Sequence, residues 1–441
     1  MLSREDNEIL TRVGPGTLMG NLLRRYWTPA CLSTEIPADD PPVRVRLLGE
    51  NLVAFRDTDG KVGLVAENCP HRGASVYFGR NEECGLRCVY HGWKFDVEGN
   101  CVDMPNEPAE SNFKSKVKIT AYPTHETAGI VWTYMGPRET MTPFRDFGSS
   151  SLAEEHVHAT KLHCSCNWVQ TMEGNIDTAH ISWLHQWNSI DQIEDDGTDQ
   201  PGYPSPSTSP RIWRHDRAPR VEVHDEWYGY RYAGLRTTPN GHTNARVTAY
   251  VVPYLTMIAA VPYSARQLWV VPLDDEQCWR YTCVTQPPTE RQASRSPRQR
   301  DPKYPYRNRE AIFQAGIRPR EYTLENDYQI DRENQRNVTF SGIVDFVSQD
   351  LMVTETMGPI YDRTKEHLGT TDRAVIAMRQ ILLNGAKGLA EGQAPPAIGE
   401  YDYRGIRAAE KTLEPGEDWR RLGTDEDPIV AEGELGAVRR G

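Results

Sequence analysis

The sequence has no run of about 18 or more apolar residues, so no membrane-spanning helix is expected. Its N-terminus, MLSREDNEIL, lacks the basic, apolar and small-residue segments of a signal peptide. The formal net charge of −12 disfavours binding to nucleic acid or to an anionic membrane. We therefore expect a cytoplasmic protein that has neither a nucleic-acid partner nor a membrane partner.

A nucleotide-binding motif is also absent. Gly14-Pro15-Gly16 begins like the glycine pattern of dinucleotide-binding proteins, but the third glycine comes one place late, at Gly20, and no strand precedes it. The sequence contains no run of four closely spaced cysteines of the ferredoxin type. We therefore expect that the chain does not take electrons from NAD(P)H directly and that a separate reductase supplies them.

The nine cysteines do not indicate a disulfide framework, because the chain has 441 residues and no secretion signal. Most of them are expected to be small buried side chains. With 38% hydrophobic and 25% charged residues, the composition is that of a globular protein. The length fits two or three domains.

The spacing of apolar residues changes several times along the chain. Residues 42–136 alternate as strands do and predict a small β domain, and residues 221–284 predict a larger antiparallel sheet. Helical spacing is found over residues 1–30, 165–190 and 344–383. Residues 286–309 are rich in Pro and Arg, and we interpret them as a surface loop.

Two short segments each combine one cysteine with one histidine. Cys69-Pro70-His71 is followed, after sixteen residues, by Cys88-Val89-Tyr90-His91. Thiolate and imidazole ligands suit either zinc or an iron–sulfur cluster. A Cys₂His₂ zinc finger carries both histidines on one helix, whereas each pair here mixes the two residue types within β-type sequence. The pattern favours a [2Fe–2S] centre held by two cysteines and two histidines.

A second group of candidate ligands interrupts the helical pattern of residues 165–190. Asp177 and His180 are three residues apart and would share a helix face. His180 and His185 are five residues apart, which puts them about 140° apart on a regular α-helix. If both histidines bind one metal ion, the helix must end, bulge or form a π-type turn between them. The alternative is that these are hydrogen-bonded core residues.

The segments CPHRGASVYFGR and CVYHGWKFDVEGN resemble the two cluster-binding loops of Rieske proteins. Over residues 14–137 the resemblance is to the Rieske domain of ring-hydroxylating oxygenases. It implies four ligands for a [2Fe–2S] cluster: Cys69, Cys88, His71 and His91. The thiolates would bind one iron and the imidazoles the other. Val89 departs from the family pattern, in which a basic residue is more common, but this leaves the ligands unaffected.

The same resemblance extends to the second group. In Rieske oxygenases, Asp-x-x-His-x₄-His supplies two ligands of a mononuclear Fe(II), which implies that role for His180 and His185. Asp177 matches the residue that hydrogen-bonds both His180 and the partner subunit's His91, carrying electrons between subunits. This implies a homotrimer, or a hexamer of two stacked trimers. It also implies that Asn175 lies near the iron.

The third iron ligand is expected far along the chain. Residues 346–360 resemble the C-terminal ligand helix of the family, and its Gln-Asp pair implies Asp350 as the ligand. Asp345 and Glu355, five residues to either side, are weaker candidates. The alternative for Asp350 is a charge on a helix surface.

The whole chain resembles the phthalate dioxygenase-type group of Rieske oxygenases, which contain only α-subunits. The resemblance implies an oxygenase component that takes electrons from a separate NAD(P)H-dependent flavin or ferredoxin reductase. With O₂ it would hydroxylate, and typically dihydroxylate, an aromatic acid such as a phthalate- or benzoate-like compound. The alternative is an O-demethylating monooxygenase of a methoxylated aromatic acid. Arg231, Arg236 and Arg246 fall on strands expected to line the pocket, and Arg246 is the preferred carboxylate clamp.

The implied fold class is α+β: an N-terminal Rieske β domain, then a helix-grip (START-like) catalytic domain with an antiparallel sheet and long helices. The predicted units are a helical lead-in that packs on the catalytic domain (1–40), the Rieske [2Fe–2S] domain (41–140), the mononuclear iron domain (141–390) and a C-terminal tail (391–441).

Two other classes of protein compete with this interpretation. A Rieske electron carrier would need only the N-terminal domain and would lack the mononuclear iron. A zinc-binding structural protein would lack the absorbance of an iron–sulfur cluster. Iron content and the visible spectrum distinguish all three.

Overall fold

The computed structural model describes residues 1–108, 110–148, 157–186, 210–259, 266–285, 316–399, 401–427 and 430. The predicted surface loop at 286–309 lies outside the described residues. Among the described helices, none is both long and apolar enough to cross a membrane.

The α-helices of the described residues follow the predicted helical segments in part. They are α1 (Arg4–Thr11), α2 (Leu18–Leu23), α3 (Trp168–Ile176), α4 (Pro210–His215), α5 (Arg332–Asn337), α6 (Phe346–Glu355) and α7 (Arg373–Ala390). Side-chain oxygens cap the N-termini of α1, α2, α3 and α6, and they come from Ser3, Thr17, Asn167 and Asp345. Such caps satisfy backbone N–H groups that the first helical turn leaves unpaired.

The helix predicted over residues 344–383 is wrong as one element. Helix α6 ends at Glu355 and α7 begins at Arg373. Gly358 between them has a φ of +89°, which L side chains rarely adopt, and Pro359 follows it. A left-handed glycine before a proline ends a helix, so two helices form where apolar spacing alone indicated one.

Ten strands precede residue 140 among the described residues. They are β1 (Thr28–Leu32), β2 (Val43–Leu47), β3 (Glu50–Arg56), β4 (Val62–Ala66), β5 (Arg80–Asn81), β6 (Leu86–Arg87), β7 (Lys94–Phe95), β8 (Cys101–Asp103), β9 (Thr124–Thr127) and β10 (Ile130–Thr133). They form three antiparallel sheets in the orders β2-β3-β4, β5-β6-β7-β8 and β1-β10-β9. Cys69 and Cys88 are buried in a small core that includes Phe55, Val65 and Phe95.

A larger antiparallel sheet organises the second half of the chain. Its strands are β11 (Val157–Cys164), β12 (Arg220–Glu226), β13 (Gly229–Thr237), β14 (Thr243–Val251), β15 (Leu255–Met257), β16 (Gln267–Pro272), β17 (Cys278–Thr285) and β18 (Ala409–Thr412). Their order is β11-β17-β16-β15-β14-β13-β12, and β18 pairs with β14. The predicted antiparallel sheet is confirmed.

Helices α3 and α7 lie against one face of this sheet. The hydroxyl of Tyr230 on β13 donates to the carbonyl of Ala374 at 2.6 Å, and the hydroxyl of Tyr232 donates to the carbonyl of Ile176. Strand β13 thereby holds the C-terminal end of α3 and the first turn of α7. This is the predicted α+β arrangement, with helices gripped by an antiparallel sheet.

Both ends of the chain contact the catalytic sheet and its helices. Helices α1 and α2 pack on α7, and β18 adds a strand to β14. Trp419 and Leu422 are buried against residues of β13 and β14. Residues 409–422 therefore contribute to the sheet and its packing, within the segment predicted as a tail. The domain boundaries given above stay predictions.

Candidate metal centres

The two Cys–His segments form loops with the same backbone hydrogen bonds. In the first loop, the N–H of Cys69 donates to Ala74 and the N–H of Gly73 donates to Cys69. In the second, the N–H of Cys88 donates to Trp93 and the N–H of Gly92 donates to Cys88. Gly73 and Gly92 have φ values of +77° and +80°. Positive φ explains the glycine that follows each histidine, and the repeated geometry brings both loops to one site.

The four predicted cluster ligands lie together between these loops. They line one small surface cleft, and the rings of His71 and His91 have centroids 4.4 Å apart. Burial raises the pKa of the Cys69 thiol to about 11, and Cys88 adds to that shift. The Nδ1 of His71 is buried without a hydrogen-bond partner among the described residues. Two thiols and an unpaired imidazole nitrogen suit a [2Fe–2S] cluster of the mixed Cys–His type.

Trp93 packs beneath the first histidine. Its ring is stacked on His71 at 4.3 Å, and its indole N–H donates to Asn106 at 2.7 Å. Two side chains beside His91 point outward, because Val89 and Tyr90 are 60% and 52% exposed. The histidine edge of this site is therefore close to the surface, and the guanidinium of Arg72 lies over the ring of Tyr90 beside it.

The candidate mononuclear site begins where α3 ends. The helix stops at Ile176, Asp177 is its C-cap with an extended backbone, and a 3-10 turn over His180–Ser182 follows. The oxygen Oδ1 of Asp177 accepts the N–H of Ala179 at 2.6 Å, which turns the chain out of the helix. The His180–His185 spacing indicated a break in the helix between the two histidines. The helix in fact ends at Ile176, before both of them.

His180, His185 and Asp350 come together on this turn and on α6. The Nε2 of His185 lies 3.0 Å from Oδ1 of Asp350, and the Nε2 of His180 lies 3.8 Å from the same oxygen. One ligand atom from each of the three residues lies within 4.8 Å of the others. Two imidazoles and one carboxylate form the donor set that binds non-haem iron and leaves positions open. These residues could hold such an ion.

The charge of Asp350 is set by its neighbours. Burial acts to raise its pKa, but His185, His180 and the guanidinium of Arg280 together lower it to about 2. Arg280 on β17 lies 3.7 Å from Oδ2 of Asp350. Sequence reasoning did not select Arg280. Arg280 lies two residues after Cys278 on β17, so the two side chains share the inward face of the sheet. The sequence does not reveal which helix Arg280 contacts there.

The other two acidic candidates are engaged elsewhere. Asp345 caps α6 by accepting the N–H of Ser348 and pairs with Arg318. Glu355 accepts the N–H of Ser165 and pairs with Arg320 at 2.6 Å. Neither carboxylate belongs to the three-residue group around His185, so Asp350 is the acidic residue that the fold brings to the histidines.

Each candidate histidine is oriented by a second side chain. Nδ1 of His185 lies 2.6 Å from Oε1 of Gln349, and its ring is stacked on Phe346 at 3.7 Å. Nδ1 of His180 lies 3.4 Å from Oδ2 of Asp177. Partners at Nδ1 keep each Nε2 directed toward Asp350. Gln349 and Phe346 were not selected from the sequence as partners of His185.

The three predicted substrate arginines lie on two different faces of the sheet. Arg231 donates to the backbone carbonyls of Arg420 and Leu422, on the face opposite to the metal site. The prediction that Arg231 lines the pocket is therefore wrong. Arg236 donates to the carbonyl of Thr178 at 2.6 Å, and Arg246 lies 3.5 Å from the hydroxyl of Thr178. Both are buried beside the turn that carries His180.

Asn175 lies on the last turn of α3. It is 9% exposed, and its Nδ2 has no hydrogen-bond partner among the described residues. It lies on the helix that leads into the metal site, and its expected position near the iron stays a prediction. No contact with the candidate ligands is described for it.

Comparison with known proteins extends these observations to the whole chain. Residues 26–123 match the Rieske [2Fe-2S] domain family, and residues 133–436 match the LigXa C-terminal domain like family. The chain is 39% identical to the phthalate 4,5-dioxygenase oxygenase subunit of Pseudomonas putida, over 91% of this chain and 90% of that protein. It is 36% identical to the 3-chlorobenzoate-3,4-dioxygenase oxygenase subunit of Comamonas testosteroni, over 91% and 93% of the two chains.

Two further similarities are relevant. The 5,5'-dehydrodivanillate O-demethylase oxygenase subunit of Sphingobium sp. is 31% identical, over 90% of this chain and 84% of that protein. The fold is also that of the terminal oxygenase of carbazole 1,9a-dioxygenase from Nocardioides aromaticivorans IC177. That structure has a TM-score of 0.54 and 19% identity, and the match covers 87% of this chain and 97% of that one.

A Rieske domain joined to a sheet-and-helix domain with a His–His–Asp group defines a Rieske non-haem iron oxygenase. This chain belongs to that family, in the branch with a LigXa-like C-terminal domain. It is accordingly an oxidoreductase whose cofactors are a [2Fe–2S] cluster and a mononuclear iron. Its relatives are the oxygenase subunits of multicomponent systems.

Proposed function

We propose that this chain is the oxygenase component that dihydroxylates an aromatic carboxylic acid of the phthalate or benzoate type. The observation that carries the proposal is the position of Arg246, a buried guanidinium beside Thr178, two residues before His180. Relatives named for phthalate and 3-chlorobenzoate support the same substrate class. Both compounds present a carboxylate on an aromatic ring.

The proposed ligands follow from the two donor groups. Cys69, His71, Cys88 and His91 would hold the [2Fe–2S] cluster, and His180, His185 and Asp350 would hold the iron. When bound, the cluster supplies single electrons and the iron supplies open positions for O₂. The protein's part is to orient both imidazoles, through Gln349 for His185 and Asp177 for His180.

Asp177 is the proposed connection between subunits. Its carboxylate contacts His180 and remains partly exposed, so it can also accept a hydrogen bond from the partner subunit's His91. The exposed apolar side chains of Val89 and Tyr90, beside His91, support burial of this edge in an assembly. We infer a homotrimer, or a hexamer of two stacked trimers.

The substrate carboxylate would bind at Arg246, with Arg236 bracing the same turn. Arg246 and Arg236 are 7% and 1% exposed, so an ion pair formed there is shielded from water. Asn175, on the helix leading into the turn, would lie near the ring. A carboxylate held at this place would leave the ring directed toward His180 and His185.

Electrons would come from a separate NAD(P)H-dependent flavin or ferredoxin reductase. The sequence has no nucleotide motif of its own, and the relatives named above are subunits of larger systems. The free cysteines of the described residues support a cytoplasmic location, where thiols stay reduced.

A second candidate is O-demethylation of a methoxylated aromatic acid. The similarity to the 5,5'-dehydrodivanillate O-demethylase subunit favours it. Both candidates use the same metal centres and a carboxylate clamp. They differ in which ring substituent faces the iron.

Single-turnover product analysis tests the proposal. The reduced holoenzyme is mixed with O₂ and a panel of phthalates, benzoates and methoxybenzoates. We expect a cis-diol from a phthalate or benzoate, whereas formaldehyde from a methoxybenzoate would favour the second candidate. Absence of oxygenated product from every acid would contradict the substrate class.

Two arginine variants then test the clamp. Arg246→Gln should raise the KM for the acid about ten- to hundredfold, the effect of one charged hydrogen bond. Arg231→Gln is the matched control, because Arg231 is equally buried but lies on the opposite face. It should reduce stability and leave KM unchanged. An unchanged KM in Arg246→Gln would contradict the clamp.

A further inference from the structure

A buried carboxylic acid lies directly behind the proposed clamp. Glu410 on β18 is the register partner of Arg246 on β14, and its Oε2 lies 3.6 Å from Nε of Arg246. Glu410 is 0% exposed. Neither of its carboxyl oxygens makes a hydrogen bond of good geometry among the described residues, and the indole of Trp213 on α4 is a polar group beside them that acts to lower the pKa of Glu410. Buried carboxylates normally make such hydrogen bonds, so this group has capacity for another interaction.

The surroundings of Glu410 carry an excess of positive charge. Arg246 faces it from β14 and Arg236 from β13, and the indole of Trp213 on α4 adds a polar group. Asp216, just after α4, acts on Arg236 from farther away. Burial and repulsion by Arg246 lower the pKa of Arg236 to about 10. The cluster therefore contains two guanidinium groups and one carboxyl group in a space that is largely shielded from water.

We propose that Glu410 is the counter-ion of the clamp and that it takes up a proton when the substrate carboxylate binds Arg246. In the free enzyme, the ionised carboxylate of Glu410 balances Arg246 and holds it against the sheet. In the complex, the substrate carboxylate provides that balance and Glu410 becomes neutral. This inference rests on the proposed function, since it requires an anionic substrate at Arg246.

The uptake of a proton follows from the effects of burial and of neighbouring charges on the pKa of Glu410. Burial raises the pKa of Glu410 to about 7, although Arg246 and Arg236 act against the shift. A second carboxylate at Arg246 raises that pKa further, because like charges close together disfavour ionisation. Above pH 7, binding therefore consumes one proton from solvent. The aromatic acid stays ionised throughout this range, so the proton goes to Glu410.

A positioning residue of this kind alters affinity in a predictable direction. Below the pKa of Glu410 the carboxyl group is already neutral, and binding is independent of pH. Above it, the Kd for an aromatic carboxylate rises about tenfold per pH unit. A neutral analogue of the same shape brings no negative charge to Arg246 and so does not displace the ionised form of Glu410. Its Kd should therefore not change with pH.

Calorimetric titration of the anaerobic holoenzyme provides the test. The probes are 3-chlorobenzoate and its neutral analogue 3-chlorobenzamide, each titrated between pH 5.5 and 8.5. Buffers with different ionisation enthalpies report proton uptake directly. We expect about one proton taken up per 3-chlorobenzoate at pH 8 and almost none at pH 5.5.

Three variants assign the proton. Glu410→Gln should abolish the uptake and keep the Kd flat with pH. Glu410→Asp, which keeps the charge if Gln is not tolerated, should retain the uptake with a shifted midpoint. Glu417→Gln is the matched control, because Glu417 lies on the same segment but pairs with Lys411 at 2.8 Å, and it should behave like wild type.

The outcomes separate this inference from the proposed function. Binding of 3-chlorobenzoate without proton uptake, or with uptake unchanged in Glu410→Gln, would overturn the role of Glu410 and leave the clamp intact. No binding of 3-chlorobenzoate or phthalate at any pH would overturn the aromatic-acid function itself, and this inference with it.

Discussion

The Nε2 atom of His185 lies 3.0 Å from Oδ1 of Asp350, although one residue follows α3 and the other belongs to α6. His180 approaches the same oxygen at 3.8 Å. Two separate elements thus meet to form one donor group, which depends on the packing of α3 against α6.

Replacement of Asp350 by alanine should remove the mononuclear iron and leave the cluster in place. The carboxylate is one of three donors, whereas the cluster ligands lie in a different domain. Iron analysis together with the visible spectrum measures both centres in one sample. The matched control is Asp345→Asn, which alters the cap of α6 without removing a donor. Retention of full iron content in Asp350→Ala would contradict the assignment.

The Gln349→Leu variant should weaken iron binding about ten- to hundredfold, the usual effect of losing a partner that orients a ligand. Gln349 lies 2.6 Å from Nδ1 of His185 and donates to the carbonyl of Ile343 at 2.7 Å. Without it, the imidazole loses its fixed orientation. Competition with a chelator gives the affinity. An affinity equal to that of wild type would mean that Phe346 alone orients the ring.

Glu173→Gln should destabilise the catalytic domain by about 3–5 kcal/mol. Glu173 on α3 pairs with Arg363 at 2.9 Å and with Arg379 at 2.7 Å, and Arg363 is 0% exposed. Loss of the carboxylate removes the ion pair of Arg363 with Glu173 and leaves Arg379 paired with Glu366 alone. Denaturant unfolding measures the change. The surface pair Lys387–Asp6 is the control, and Asp6→Asn should cost less than about 1 kcal/mol. Similar losses of unfolding free energy in Glu173→Gln and Asp6→Asn would contradict the expected difference between the buried and the surface ion pair.

The stability of the catalytic domain should fall as the pH rises from about 4.5 to about 7, because of Glu410. Its pKa is raised from 4.5 to about 7 in the folded state, so the folded protein holds a proton that the unfolded chain releases. That stabilisation is complete below pH 4.5 and is lost as the pH passes 7. The change amounts to about 3 kcal/mol.

Comparison with Glu410→Gln isolates this contribution. The variant should unfold at a higher denaturant concentration than wild type at pH 8, and the difference should vanish near pH 4.5. A constant difference between the two proteins across this range would show that Glu410 does not titrate.

The cluster loops could be predicted from the sequence because everything they need is local. Each ligand pair lies within four residues, and Gly73 and Gly92 mark the positive φ values that close the loops. The mononuclear site was harder to predict from the sequence. The His180–His185 spacing required a break in the helix but did not say which kind, and Asp350 was reached only through a family resemblance.

The remaining differences arise from tertiary structure. Alternation along β13 separates Arg231 from Arg236 but does not say which face meets the helices, and so Arg231 was assigned to the wrong face. Glu410 lies in a segment predicted as a tail, and only its pairing with β14 brings it to Arg246. Apolar spacing continued across Gly358, where the backbone conformation ends the helix.

Iron and sulfide analysis of anaerobically purified protein, followed by single turnover with O₂ and an aromatic acid, tests both metal centres and the proposed oxygenation together. We expect about three irons and two sulfides per chain, with an oxygenated product formed from a phthalate or benzoate. About two irons per chain and no product from any acid would contradict this expectation, because the His180–His185–Asp350 group would then hold no catalytic metal.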